Sequence, residues 1–151
     1  MTEIVEKNTV KGYLRIRIGL IAAVLGFLTF VLGAEPELFG LDRSPITGYL
    51  QIMVFLAGLA IICIGGYSSL SGLWNGYEKT IAADIGLRLV GTGYVIAVGS
   101  GMADLFGFGS HSYPKTPYFG PWQEAGVVIG QLVIAVGLLL LLPFGQRHKQ
   151  S

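Results

Sequence analysis

The chain has 151 residues, enough for one domain, and only 13% of them are charged, against roughly 25% in a soluble globular protein. Hydrophobic residues make up 52%, mean hydropathy is +0.65, and there are 23 glycines. A formal net charge of +1 and one cysteine, Cys63, exclude a nucleic-acid binder held by basic charge and an intramolecular disulfide scaffold; the apolar content excludes a disordered chain. An all-α integral membrane protein is the class that remains.

The leader Met1–Arg17 is polar and of mixed charge, with neither a short apolar core nor a small-residue cleavage site. It predicts a cytoplasmic segment over residues 1–17 rather than a cleaved signal peptide. A bilayer core about 30 Å thick takes roughly 20 apolar helical residues, so charge-free runs mark the spans. The first predicted span is Ile18–Ala34, with Arg15 and Arg17 at its start to snorkel.

The next charge-free run, Ser44–Tyr77, has 34 residues. As a single helix it would be about 51 Å long, too much for one crossing. Its span is placed at Ile46–Leu70, and the polar, glycine-bearing stretch Ser68–Tyr77 is expected to leave the membrane as a turn. The third span is predicted at Ile85–Ala103 and the fourth at Ala125–Phe144, where Pro143 and Gly145 mark the end.

Basic residues set the direction. Lys7, Lys11, Arg15, Arg17, Lys79, Arg88, Arg147 and Lys149 fall on one side of the four spans, and Arg43 and Lys115 on the other. The positive-inside rule then predicts both termini in the cytoplasm. The outer loops become Glu35–Pro45 and Asp104–Glu124, the second rich in Phe106, Phe108, Tyr113, Tyr118, Phe119 and Trp122, as expected of an interfacial aromatic belt.

The sequence also repeats. At an offset of 67, Gly19, Leu20, Gly26, Val31, Leu38, Phe39 and Gly40 coincide with Gly86, Leu87, Gly93, Val98, Leu105, Phe106 and Gly107. At an offset of 72, Pro45, Gly48, Gln51, Gly58, Ile62 and Gly65 coincide with Pro117, Gly120, Gln123, Gly130, Ile134 and Gly137. The predicted architecture is therefore a four-transmembrane-helix bundle of two tandem, parallel-repeat hairpins, residues 18–77 and 78–146, with a cytoplasmic tail at 147–151, all in one membrane domain over 1–151.

Glycines recur every seven residues, which returns to within about 20° of one helix face. The stripes are Gly19, Gly26, Gly33; Gly58, Gly65, Gly72; Gly86, Gly93 with Ser100; and Gly130, Gly137. Small residues let helix backbones approach closely in lipid, where the hydrophobic drive between helices is weak, so these are the candidate helix-packing residues. Gly126-x-x-x-Gly130 is a further candidate, for dimerisation.

Six polar residues are candidate intramembrane contacts. Gln51 and Gln123 extend the stripes and are expected to bond between helices. Gln131, mid-span, must face a partner or water, because an unmet amide in hydrocarbon costs several kcal/mol. Asp84 and Arg88, four apart, can pair along one helix face. Asp104 is expected to face the outer loop at a helix end.

No catalytic, cofactor-binding or metal site is predicted. His111 and His148 lie outside the spans, and neither zinc spacing nor a G-x-S-x-G, H-E-x-x-H or phosphate-loop motif occurs. Four spans in so short a chain resemble the small multidrug-resistance exporters, whose first helix carries an embedded glutamate; Ile18–Ala34 has no acid. The expected function is a non-enzymatic accessory, assembly or scaffold subunit in a bacterial plasma membrane, or a homo-oligomer packed through glycine stripes. Its partners are the bilayer and other membrane subunits or itself, not nucleic acid. The alternative is a small oligomeric transporter or channel.

Overall fold

Breakers in the chain set the helix boundaries. The computed structural model describes residues 2–40, 48–74, 77–108 and 120–144, with side chains from Thr9 onward. Helix α1 spans Thr2–Ala34 and stops where Glu35 precedes Pro36, since a residue before proline is pushed out of the helical region. A 3₁₀ turn, Pro36–Phe39, follows. Helix α2 is Tyr49–Leu73, α3 is Ile81–Gly101 and α4 is Pro121–Leu140. The Thr80 hydroxyl accepts from Ala83 N at 3.3 Å to start α3, and Pro121 opens α4 at a position where no N–H is required.

These bounds correct the predicted spans. Hydropathy marks the length that fits hydrocarbon, not where hydrogen bonding ends, so α1 runs back through the polar leader to Thr2; its apolar stretch begins at Thr9. Ser68–Leu73 is helical rather than an exit turn, because Ser71 and Gly72 are buried and α1 lies against them. Helix α3 starts and ends earlier than expected. Helix α4 begins at Pro121 and gives way to a turn at Leu141, short of Pro143.

The glycine stripes face one another. On α1 and α2, a methyl on Gly19 would lie 2.7 Å from the Gly65 carbonyl oxygen, and one on Gly58 would lie 2.9 Å from that of Gly26. On α3 and α4, a methyl on Gly86 would lie 2.5 Å from the Gly137 oxygen, and one on Gly93 would lie 2.6 Å from that of Gly130. Gly33 sits on the Phe55 backbone, Gly72 on Gly12 and Ile16, and Ser100 on Gly126. The Gly126-x-x-x-Gly130 element thus faces α3 of its own chain. Backbones this close gain dispersion contact along their length, and that holds α1 to α2 and α3 to α4.

The two pairs meet through α2, which touches α3 and α4; α1 touches neither. Helix α1 is therefore an edge helix of the four, with Ile18, Ile21, Val24, Leu25 and Leu28 left uncovered by protein. The core joining the pairs consists of Ile52, Leu56, Leu59, Cys63, Val90, Ala97 and Ile134, with Trp74 and Leu141 at one end. Arg43, Pro45, His111, Tyr113, Lys115, Pro117, Tyr118, Phe119, Gly145, Arg147, His148 and Lys149 lie outside the described residues.

Candidate functional site

Because α1 and α4 do not touch, a gap opens between them with α2 as its floor. It forms a cleft of about 320 Å³ lined by Phe30, Gly33, Ala34, Gln51, Ile52, Phe55, Glu124, Val127, Val128 and Gln131. The Phe30 and Phe55 rings, centroids 4.7 Å apart and tilted by 39°, build an apolar wall from α1 and α2. Phe55 holds this position because its backbone rests on Gly33, where a side chain would intrude.

Three polar side chains interrupt this apolar lining. Gln51 belongs to the first turn of α2, Glu124 to the first turn of α4, and Gln131 lies two turns further along α4. Each amide can donate and accept, while the carboxylate accepts or pairs with a cation. Of the six polar candidates, the cleft brings together Gln51 and Gln131, and adds Glu124, which the sequence places at the end of the second outer loop. Its position in the first turn, seven residues before Gln131, was the available signal, since residues seven apart share a helix face.

The other candidates lie elsewhere. Gln123 is buried and its Oε1 accepts from Gly120 N at 2.8 Å, so it caps its own helix where an interhelical bond was expected. Asp84 and Arg88 pair at 3.1 Å on the uncovered side of α3. Asp104 lies in the turn after α3, 8% exposed, and its Oδ1 has no hydrogen-bond partner among the described residues. Among the described residues, no three of His, Cys, Asp and Glu converge on one point.

No protein-family model, characterised protein or solved structure matches the chain. Its class rests on its own helices. All four are long and apolar enough to cross a membrane, over Thr9–Ala34, Tyr49–Leu73, Ile81–Gly101 and Pro121–Leu140. Among the described residues the chain is all-helical, and these four helices are those of a membrane protein by length and apolar composition.

Proposed function

We propose that the protein is a non-enzymatic membrane subunit that assembles with other membrane proteins or with itself. The cleft carries this reading. A helix laid between α1 and α4 would cover apolar wall from both and supply partners to Gln51 and Gln131, whose amides are costly to leave unmet in hydrocarbon. The glycine stripes face inward within each hairpin, so association uses the cleft and the outward side of α1. Purification in gentle detergent at native expression, followed by native mass measurement, should yield an oligomer or a mixed complex. A lone monomer would overturn the proposal.

The same reading takes the chain as two copies of one hairpin, in a bacterial plasma membrane with both termini cytoplasmic. Two details support duplication beyond sequence identity. The pairs Gly19 with Gly65 and Gly26 with Gly58 recur, at the offsets of 67 and 72, as Gly86 with Gly137 and Gly93 with Gly130. Both Leu-Phe-Gly motifs also end on a left-handed glycine, Gly40 at φ +66° and Gly107 at φ +80°. Eight basic residues against two favour the stated orientation.

Glu124 among the cleft's lining residues favours a second reading, an oligomeric transporter or channel for a small solute or ion. Counterflow in proteoliposomes tests it. Flux that falls on Gln131→Leu or Glu124→Gln is the outcome it requires.

A further inference from the structure

At the end of the molecule remote from the cleft, the segment between α2 and α3 carries Lys79. Its Nζ stands 4.8 Å from the centre of the Tyr67 ring. It donates to Tyr67 Oη at 3.2 Å and to Ser71 Oγ at 3.3 Å. Both acceptors are neutral, and among the described residues no carboxylate lies within ion-pair distance of Lys79. An ammonium with three donors has therefore spent two of them on hydroxyls and kept its full charge.

A second cation shares the place. It is Arg15 of α1, brought there by the packing of α1 on α2. The helix register accounts for this: Gly12 and Ile16 lie against Gly72 and Gly19 lies against Ser69, which puts Arg15 at the level of Tyr67 and Ser71. Arg15 likewise has no ion-pair partner among the described residues, in contrast to Arg88, which is matched by Asp84. Ser71 accepts from Lys79 and turns its own hydrogen to the Tyr67 oxygen, so the Tyr67 hydroxyl hydrogen remains to be donated. Two cations and one hydroxyl donor, on three elements, form a set complementary to a tetrahedral anion.

We propose that Lys79, Arg15 and Tyr67 bind a phosphate group, with Ser71 holding Lys79 and Tyr67 in place. In a chain whose helices cross a membrane, the site stands where α2 ends and α3 begins, the level at which lipid phosphates lie. An anionic phospholipid headgroup is the source that position favours; free phosphate offers the same chemistry. Tyr67 fixes the ammonium through its ring face as well as its hydroxyl, so the anion meets a positioned cation rather than a freely rotating one.

The full chain in mild detergent, titrated with phosphatidylglycerol and read by native mass spectrometry, tests the proposal. The double variant Lys79→Gln with Arg15→Gln should bind this lipid on the order of tenfold or more weakly. Lys79→Arg should retain it, and Arg88→Gln, which removes an already paired charge, should leave it unchanged. Repeating the titration with phosphatidylcholine, and in millimolar inorganic phosphate, separates the sources. Preference for phosphatidylglycerol that phosphate does not displace assigns a lipid; displacement that depends on residues 15 and 79 assigns the free anion. Equal loss in the double variant and in Arg88→Gln, or no loss in either, overturns the site.

Discussion

Trp74 Nε1 donates to the Leu141 carbonyl oxygen at 2.9 Å, tying the end of α2 to the end of α4 where both residues are buried. With Tyr94 Oη, which donates to the Leu56 carbonyl at 3.3 Å, it joins the two hairpins by side-chain hydrogen bonds. The Leu141 oxygen closes a helix end and has no next turn to accept from, so the indole meets a real need. Trp74→Phe keeps most of the ring's packing and removes the donor. It should destabilise the fold by about 1–2 kcal/mol, the cost of an unmet buried carbonyl. Denaturant titration in detergent micelles measures this, with Trp122→Phe as reference because Trp122 is 85% exposed. Equal midpoints for the two variants would remove the tie from the account of stability.

The glycine faces predict a graded response to added methyls. At Gly93 a methyl would stand 2.6 Å from the Gly130 oxygen and 2.8 Å from the Ile134 amide nitrogen, both backbone atoms that move only with their helix. Gly93→Ala should therefore force α3 and α4 apart and cost about 2 kcal/mol or more, in the range of overpacked sites. A methyl at Gly91 or Gly99 meets nothing within 4 Å. There the gain in helix propensity, up to about 1 kcal/mol, should make the alanine neutral or stabilising. Thermal unfolding of the three variants decides the matter; a similar loss at all three would mean that close approach is not what these glycines provide.

At Gly40 and Gly107 the constraint is the backbone itself. Both have positive φ and open space for a methyl, so alanine would be strained by conformation alone. Each alanine variant should lose about 1 kcal/mol, and asparagine, which tolerates the left-handed region better, should lose less. Matched unfolding curves for alanine and asparagine at Gly107 would argue against strain.

Much of this architecture is legible in the residues. Charge scarcity separates four apolar stretches, and a seven-residue glycine period marks one face of each helix. A stripe does not, however, say what lies opposite. Gly126 and Gly130 fit an intermolecular motif as well as they fit α3, and only the fold assigns them to α3. Helix ends were hidden for a related reason: Ser71 and Gly72 look like an exit until α1 is seen covering them. The Lys79 cluster draws on residues 15, 67, 71 and 79, a spacing that matches no local motif and becomes a group only when α1 packs on α2.

The two glutamines sharpen the point and carry the last prediction. Gln51 and Gln123 are equivalent by offset, and each stands three residues after a glycine N-cap, Gly48 or Gly120. Yet Gln123 turns back to accept from the Gly120 N–H, whereas Gln51 lines the cleft. The acceptor is buried with the amide it satisfies, so Gln123→Leu leaves an unmet N–H at the start of α4 and should cost about 1–2 kcal/mol. Gln51→Leu removes no such bond and should leave the isolated chain's stability within about 0.5 kcal/mol while making the cleft more apolar. Its effect should appear instead on association, as a smaller oligomeric fraction by native mass measurement. The reverse pattern, with Gln51→Leu unfolding the chain and Gln123→Leu sparing it, would show that the offset pairs these residues in sequence but that their roles are exchanged.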